Sequence, residues 1–256
     1  MMDWLAEMLG LPEHFRFSSN LGGGVIQSTA SESTLIAILG ARCKIWRRFG
    51  FDSKIGEDED LLDKRTDKRN GLRCRYEVMS RMVAYTSNQS HSSVEKAAML
   101  AAVRLRSVGV SLEDLSMNVA ELRERIKSDI DRDLIPMIVI ATLGTTNTCA
   151  FDDLKEIGLL CHKYDIWLHV DAAYAGSAFI CEEFRHWLDG IEMVTSFSIN
   201  PHKWMLVNFD CTAFWVRDKD LVQGTFDVNP HYLKHEHQGK IPDYRVSICL
   251  FLYSYF

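Results

Sequence analysis

Short apolar runs alternate with amphipathic helical stretches along most of this chain. The apolar runs show little polar alternation and predict buried strands at residues 82–85, 105–110, 135–142, 166–170, 191–197 and 211–216. Helices are predicted at residues 3–10, 29–46, 92–103, 117–130, 151–162 and 182–188. This order of elements is typical of an α/β protein in which helices cover a mostly parallel sheet.

Polar side chains follow several of the predicted strands at the point where each strand ends. They are Gln27 to Ser31 at a predicted helix start, and then His91, Thr146, Asp171, Asn200, His202 and Lys203. In an open parallel sheet, ligands bind at the carboxyl ends of the strands. We therefore expect these side chains to lie together at one edge of the sheet.

Lys203 stands in an unusual sequence context. Asn200 and Pro201 force a turn after the predicted strand 191–197, and the lysine is followed by the apolar residues 205–207. Burial would lower the pKa of the lysine, and a neutral amine can form a Schiff base with an aldehyde. The alternative is an ordinary surface lysine whose stem lies along apolar neighbours.

Three further features point to the same chemistry, although each has a structural alternative. Thr29 and Ser31 at a helix start could bind phosphate through free backbone N–H groups, or Thr29 could cap the helix together with Glu32. Asp171 could pair with a protonated ring nitrogen or cap a helix. His91 could stack on a ring or be an ordinary loop residue. Together the group matches the requirements of pyridoxal phosphate.

Composition excludes several other classes of function. The 256 residues carry a formal net charge of −6, which disfavours a nucleic-acid partner, and no apolar run is long enough to span a membrane. Seven cysteines without a C-x-x-C pair favour reduced thiols in the cytoplasm over disulfides. No metal is expected, since the histidines at 231, 235 and 237 lack cysteine partners.

Two segments carry a more specific resemblance. The stretches Asp171-Ala-Ala-Tyr-Ala-Gly-Ser177 and Asn200-Pro-His-Lys-Trp204 closely resemble the group II pyridoxal-phosphate decarboxylases, in particular the animal enzymes for aromatic amino acids. The similarity covers residues 3–245, apart from a charged excursion at 51–72. It implies the large domain of fold-type I pyridoxal-phosphate enzymes over residues 1–245, with a mixed, mostly parallel sheet, and leaves residues 246–256 as an unrelated tail.

The resemblance also assigns roles, residue by residue. Lys203 matches the lysine that carries the cofactor, Asp171 the partner of the pyridine nitrogen, and His91 the histidine stacked on the ring. Tyr232 matches a mobile-loop tyrosine that is linked to protonation of the carbanionic intermediate. The remaining matches are cofactor contacts at Ala173, Ala30, Ser31, Thr146, Asn200 and His202, and a substrate-side contact at Thr29.

The activity implied is decarboxylation of an aromatic L-amino acid, such as DOPA or 5-hydroxytryptophan, by a cytoplasmic homodimer. His202 and residues 207–210 resemble the DOPA enzymes more than the histidine enzymes, and His91 disfavours the aldehyde-forming relatives. A tyrosine or histidine decarboxylase, an aldehyde synthase and an inactive shortened form stay as alternatives. Family members are about twice as long, with a further N-terminal segment and a small C-terminal domain. We therefore expect the 256-residue chain alone to be a poor enzyme.

Overall fold

A seven-stranded mixed sheet forms the centre of the computed structural model, which describes residues 1–51 and 75–226. The strands are β1 (Gly23–Gln27), β2 (Met82–Ser87), β3 (Arg104–Val108), β4 (Ile135–Thr142), β5 (Trp167–Asp171), β6 (Ser196–Ile199) and β7 (Thr212–Val216). Their order across the sheet is β1-β7-β6-β5-β4-β2-β3. Strands β2 to β6 run parallel, and β7 and β1 close one side antiparallel. The predicted mixed, mostly parallel α/β sheet is confirmed.

Helices cover both faces of the sheet. They are α1 (Met2–Met8), α2 (Ala30–Arg48), α3 (residues 75–81), α4 (Ser92–Leu100), α5 (Val119–Asp131), α6 (Leu154–Tyr164), α7 (Pro201–Trp204) and α8 (Lys219–Phe226). Apolar side chains of α2 and α4 fill the core on one face, which we call the α2/α4 face. Side chains of α1, α5 and α6 fill the core on the other, the α5/α6 face.

Strand β4 shows why the apolar runs are continuous. Ile138 and Ile140 pack on the α2/α4 face, while Val139 and Ala141 pack on the α5/α6 face. Every residue of β4 is buried, because a parallel strand between two helical layers has no solvent side.

Three helices begin with the same kind of side-chain N-cap. The side chains of Thr29, Asn118 and Asp153 each accept a hydrogen bond from the backbone N–H three residues later, which starts α2, α5 and α6. In α2 that donor belongs to Glu32, as predicted from the spacing of Thr29 and Glu32. Each cap satisfies one of the N–H groups that a helix leaves without an internal partner.

The predicted strand 191–197 is wrong in its first half. Gly190 has φ +97°, and a Cβ there would lie 2.6 Å from the backbone of Lys155. The chain therefore turns at this glycine, and Ile191–Met193 form a 3-10 turn before β6 begins at Ser196. Ile191 and Val194 are buried without belonging to a strand, so the apolar run reflected burial and not extension.

Smaller differences concern element ends. Glu182–Leu188 forms a 3-10 helix, β2 extends two residues beyond the predicted strand 82–85, and α4 ends at Leu100.

Some predictions fall outside the described residues. The excursion at 51–72 does so except for Phe51, and the others are Tyr232, the histidines 231, 235 and 237, and the tail 246–256. Among described helices, none has the length and apolar character needed to cross a bilayer. Within residues 1–51 and 75–226, no group of histidine, cysteine and acidic side chains could hold a metal ion.

Candidate functional site

A pocket of about 230 Å³ opens at the carboxyl edge of the central strands, on the α2/α4 face. The register explains its position, because Thr142 of β4 pairs with Asp171 of β5, and Asp171 pairs with Ser198 of β6. The N-termini of α2 and α4 lie over this edge. All the predicted site residues within the described part of the chain line the pocket: Thr29, Ala30, Ser31, His91, Thr146, Asp171, Ala173, Asn200, His202 and Lys203.

Asp171 is the buried charge of this pocket, with a residue exposure of only 5%. Its Oδ1 accepts a hydrogen bond from the N–H of Ala173 at 3.0 Å, while Oδ2 has no hydrogen bond within the described residues. Burial raises the pKa of Asp171, and the Ala173 N–H, Lys203 and His91 oppose that shift. A carboxylate this poorly paired is stabilised by any cation that enters the pocket.

Lys203 reaches the same pocket from α7, the short helix that follows β6. Asn200 is extended, Pro201 occupies the first helical position, and the Lys203 N–H donates to the carbonyl of Asn200 at 3.0 Å. The expectation that apolar neighbours bury this lysine is wrong. Its side chain is exposed, and so are Leu206 (95%) and Val207 (42%). The amine is therefore directly accessible to a ligand in the pocket.

His91 is both a helix cap and a pocket residue. Its Nδ1 accepts the N–H of Ser93 at 3.2 Å and lies 2.9 Å from the Ser93 hydroxyl, at the start of α4. Because a backbone N–H donates to Nδ1, the proton of the neutral ring is on Nε2. Capping therefore fixes the ring and leaves an Nε2–H donor.

Asn200 and His202 form a small network beside Lys203. The Asn200 Oδ1 accepts the hydroxyl of Thr212 at 2.7 Å, and its Nδ2 lies 3.4 Å from Nε2 of His202. Nδ1 of His202 accepts the backbone N–H of Cys211 at 2.9 Å, so the proton of the neutral ring is on Nε2. These contacts fix two polar side chains at the edge of the pocket.

The N-terminus of α2 supplies another wall. The Thr29 hydroxyl accepts the N–H of Glu32 at 3.2 Å, so the capping alternative for Thr29 is confirmed. Thr29 lines the pocket as well, next to Ala30 and Ser31. The first turn of this 19-residue helix has N–H groups without helical partners, which favour an anion.

Several lining residues were not predicted: Ser93, Thr142, Gly144, Tyr174, Phe209 and Asp210. Gly144 has φ +85°, and a Cβ there would lie 2.4 Å from that of Ala175. The sequence position of Thr142 could have predicted a pocket residue, because it is the polar last residue of an apolar strand. The sequence position of Phe209 was less informative. Its ring centroid lies 4.3 Å from that of His202.

Comparison with known proteins gives a consistent result. A family model described as "Pyridoxal-dependent decarboxylase conserved domain" matches residues 1–249. The chain is 49% identical over 246 residues to an aromatic-L-amino-acid decarboxylase of Manduca sexta, covering 96% of this chain and 45% of the relative. The enzyme of the same name from Sus scrofa is 50% identical over 248 residues, covering 96% and 47%.

A solved structure gives the same relationship in three dimensions. The crystal structure of Oryza sativa TDC with PLP and tryptamine superposes with a TM-score of 0.80 at 37% identity, covering 96% of this chain and 47% of that one. The chain thus spans a little less than half the length of these relatives.

Proposed function

Since the chain belongs to the pyridoxal-dependent decarboxylase family, we propose that it binds pyridoxal phosphate in this pocket and that the whole protein decarboxylates an aromatic L-amino acid. One observation carries the proposal. The buried, half-paired carboxylate of Asp171 and the accessible amine of Lys203 line the same small pocket. A protonated pyridine and an aldehyde are the two groups that such a pair would bind.

The other lining residues fit the remaining parts of the cofactor. The N-terminus of α2 with Ala30 and Ser31, and the fixed side chains of Asn200 and His202, would bind the phosphate. Ala173 and His91 would lie on the two sides of the ring, and Thr146 would contact it nearby.

When bound, the cofactor supplies an electron sink for the bond that breaks at the substrate's α-carbon. The residues of the chain would hold the cofactor and position the protons. Asp171 would hold a proton on the ring nitrogen, because an ionised carboxylate beside it favours the protonated ring. Lys203 Nζ would hold the cofactor by its aldehyde carbon. The Nε2–H of His91 would position the proton that replaces carbon dioxide, together with Tyr232, which lies outside the described residues.

The aromatic substrate class rests on two observations. The Manduca and Sus relatives bear the name aromatic-L-amino-acid decarboxylase. In addition, two aromatic side chains line the pocket, Tyr174 and Phe209, the latter in the segment 207–210 that resembles the DOPA enzymes. Thr29, the proposed substrate contact, lines the same pocket. We propose DOPA or 5-hydroxytryptophan as substrate. Carbon dioxide release in direct competition with histidine tests this on the whole protein, and faster release from histidine would contradict it.

We also propose a cytoplasmic homodimer whose large domain comprises residues 1–245. Exposed apolar side chains next to the pocket, Leu206 (95%), Phe209 (82%) and Trp204 (45%), support an interface there. The described cysteines are all free thiols, in keeping with a reducing compartment. Sedimentation of the whole protein with bound cofactor tests the dimer, and a monomer at micromolar concentration would contradict it.

Cofactor attachment is tested directly on the 256-residue chain. Borohydride reduction in the presence of pyridoxal phosphate, followed by peptide mass spectrometry, should find the phosphopyridoxyl group on Lys203. Lys203→Ala should lose it. Lys155→Ala should keep it, because Lys155 is an exposed lysine paired with Asp189. Label on another lysine, or none on folded protein, would contradict the proposal.

A further inference from the structure

Thr142 is the last residue of β4, and its hydroxyl is unusual among the buried polar groups. The residue is 5% exposed and lines the pocket. Its Oγ1 is buried and has no hydrogen-bond partner within the part of the chain that the structure describes. A buried hydroxyl without a partner costs free energy, so native proteins normally pair such groups with protein, water or ligand.

The backbone of Thr142 is, by contrast, fully held. Its N–H donates to Oδ2 of Asp152 at 2.7 Å, and its carbonyl accepts the N–H of Asp152 at 3.0 Å. Asp152 is itself fixed, because its Oδ1 accepts the N–H of Met117 at 2.7 Å. The hydroxyl is therefore unpaired at a rigid position of the sheet.

The register gives the direction in which the side chain points. Side chains of β4 alternate between the two faces, and Ile138 and Ile140 place Thr142 on the α2/α4 face. Trp167 of β5 likewise places Asp171 on that face. Thr142 and Asp171 are direct partners in adjacent parallel strands, so the two side chains are neighbours on the face of the sheet that carries the pocket.

We propose that Thr142 is an additional cofactor-binding residue, whose hydroxyl hydrogen-bonds the pyridoxal group beside Asp171. The inference rests on the proposed function for the identity of the ligand. It rests on the geometry alone for the claim that the ligand-free protein leaves this hydroxyl unpaired. The two claims have different measurable consequences.

Thr142→Val keeps the shape of the side chain and removes the hydroxyl. Because no bond within the described protein is lost, the melting temperature of the cofactor-free variant should stay equal to that of the wild type or rise. The Kd for pyridoxal phosphate should increase about fivefold to tenfold, the typical effect of one lost hydrogen bond. Thr142→Ser should restore most of the affinity.

Thr86→Val is the matched control on the neighbouring strand β2. Thr86 is equally buried, but its hydroxyl already donates to the carbonyl of Ile140 at 3.2 Å. This variant should lower the melting temperature of the cofactor-free protein by about 2–4 °C and leave the Kd unchanged.

The outcomes separate the two proposals. Wild-type affinity in Thr142→Val would overturn the role of Thr142 while leaving the proposed function intact. A loss of cofactor-free stability in Thr142→Val as large as that in Thr86→Val would show that the hydroxyl has a structural partner, and would also overturn it. A wild-type chain that folds but binds no pyridoxal phosphate would contradict the proposed function itself.

Discussion

Two buried aspartates of this molecule have nearly the same exposure and opposite surroundings. Asp129, on α5, is 3% exposed, and both of its oxygens are paired. Arg106 donates to Oδ1 at 2.9 Å and to Oδ2 at 3.3 Å, and the Tyr85 hydroxyl donates to Oδ2 at 2.8 Å. Asp171 is 5% exposed, accepts one backbone N–H and faces a pocket. Burial is common to both, so the partners distinguish a structural carboxylate from a binding one.

The difference has a physical origin in the fold. Asp129 lies beneath β2 and β3, where an arginine from one strand and a tyrosine from the other reach it, and nothing needs to enter. Asp171 lies where β5 ends, and Lys203 and His91 affect its pKa only by charge, without a hydrogen bond to the carboxylate. The first site stabilises the protein alone, whereas the second requires a ligand for its full stabilisation.

The largest expected effect is on cofactor binding by Asp171→Asn. Asparagine can still accept the Ala173 N–H, so the cofactor-free protein should keep or gain stability. The lost partner of the protonated ring should raise the Kd for pyridoxal phosphate by about two-hundredfold to five-thousandfold, since a buried ion pair with one member removed costs about 3–5 kcal/mol. Equilibrium dialysis measures the Kd. Unchanged affinity would show that Asp171 is as structural as Asp129.

Asp129→Asn should behave in the opposite way. Arg106 loses its charged partner, and because its side chain is 30% exposed we expect the lower end of the usual range, about 3 kcal/mol of unfolding free energy. The Kd for pyridoxal phosphate, measured on folded protein, should not change. Urea unfolding gives the first quantity. A stable variant with weakened cofactor binding would break the distinction between the two aspartates.

Asp152 is an intermediate case that pH can resolve. Burial raises its pKa to about 6, although its oxygens accept the N–H groups of Thr142 and Met117. A folded pKa above the unfolded value of 3.8 means that the folded state binds more protons between about pH 4 and 6. Stability in this window should therefore fall as the pH rises, by up to about 2–3 kcal/mol.

Asp152→Asn should flatten this part of the stability profile. The comparison uses the slope of the unfolding free energy against pH, because the substitution itself also alters two hydrogen bonds. Wild-type protein and Asp171→Asn, each without cofactor, serve as references. Burial also raises the pKa of Asp171, so the stability contributed by Asp171 also falls as the pH rises. A slope in Asp152→Asn equal to that of the wild type would assign the pH dependence to other groups.

Apolar runs predicted the strands β2 to β7, although the run 191–197 overlaps β6 only at its end, and no strand was predicted at β1. The rule that ligands bind at carboxyl ends brought Asp171, His91 and Lys203 together from distant parts of the chain. The exposure of Lys203 could not be predicted, because Leu206 and Val207 are apolar but lie outside the core. Periodicity describes composition along an element and carries no information on which neighbouring segment covers it.

The pairing of Asp129 shows the same limit in the core. Val119, Leu122 and Ile126 form an apolar stripe at helical spacing on α5, and Asp129 continues it as the next buried position. An acidic residue on an apolar stripe signals a buried partner. The identity of Arg106 and Tyr85 depends on how β2 and β3 cross the helix, which no local pattern encodes.

The smallest expected effect is that of Tyr85→Phe, which removes one of the bonds to Asp129 and leaves the ring in place. Burial and the bond to Asp129 raise the pKa of Tyr85, so its hydroxyl is a neutral donor throughout the physiological range. Asp129 keeps both bonds from Arg106, and the lost bond should lower the unfolding free energy by about 1 kcal/mol. Urea unfolding beside Thr142→Val provides the contrast, because that variant loses a hydroxyl of similar burial and should lose no stability. Equal losses in the two variants would mean that the Thr142 hydroxyl is paired within the protein. The contrast between Asp129, whose partners all come from the protein, and Asp171, which requires a ligand, would then not extend to Thr142 beside Asp171.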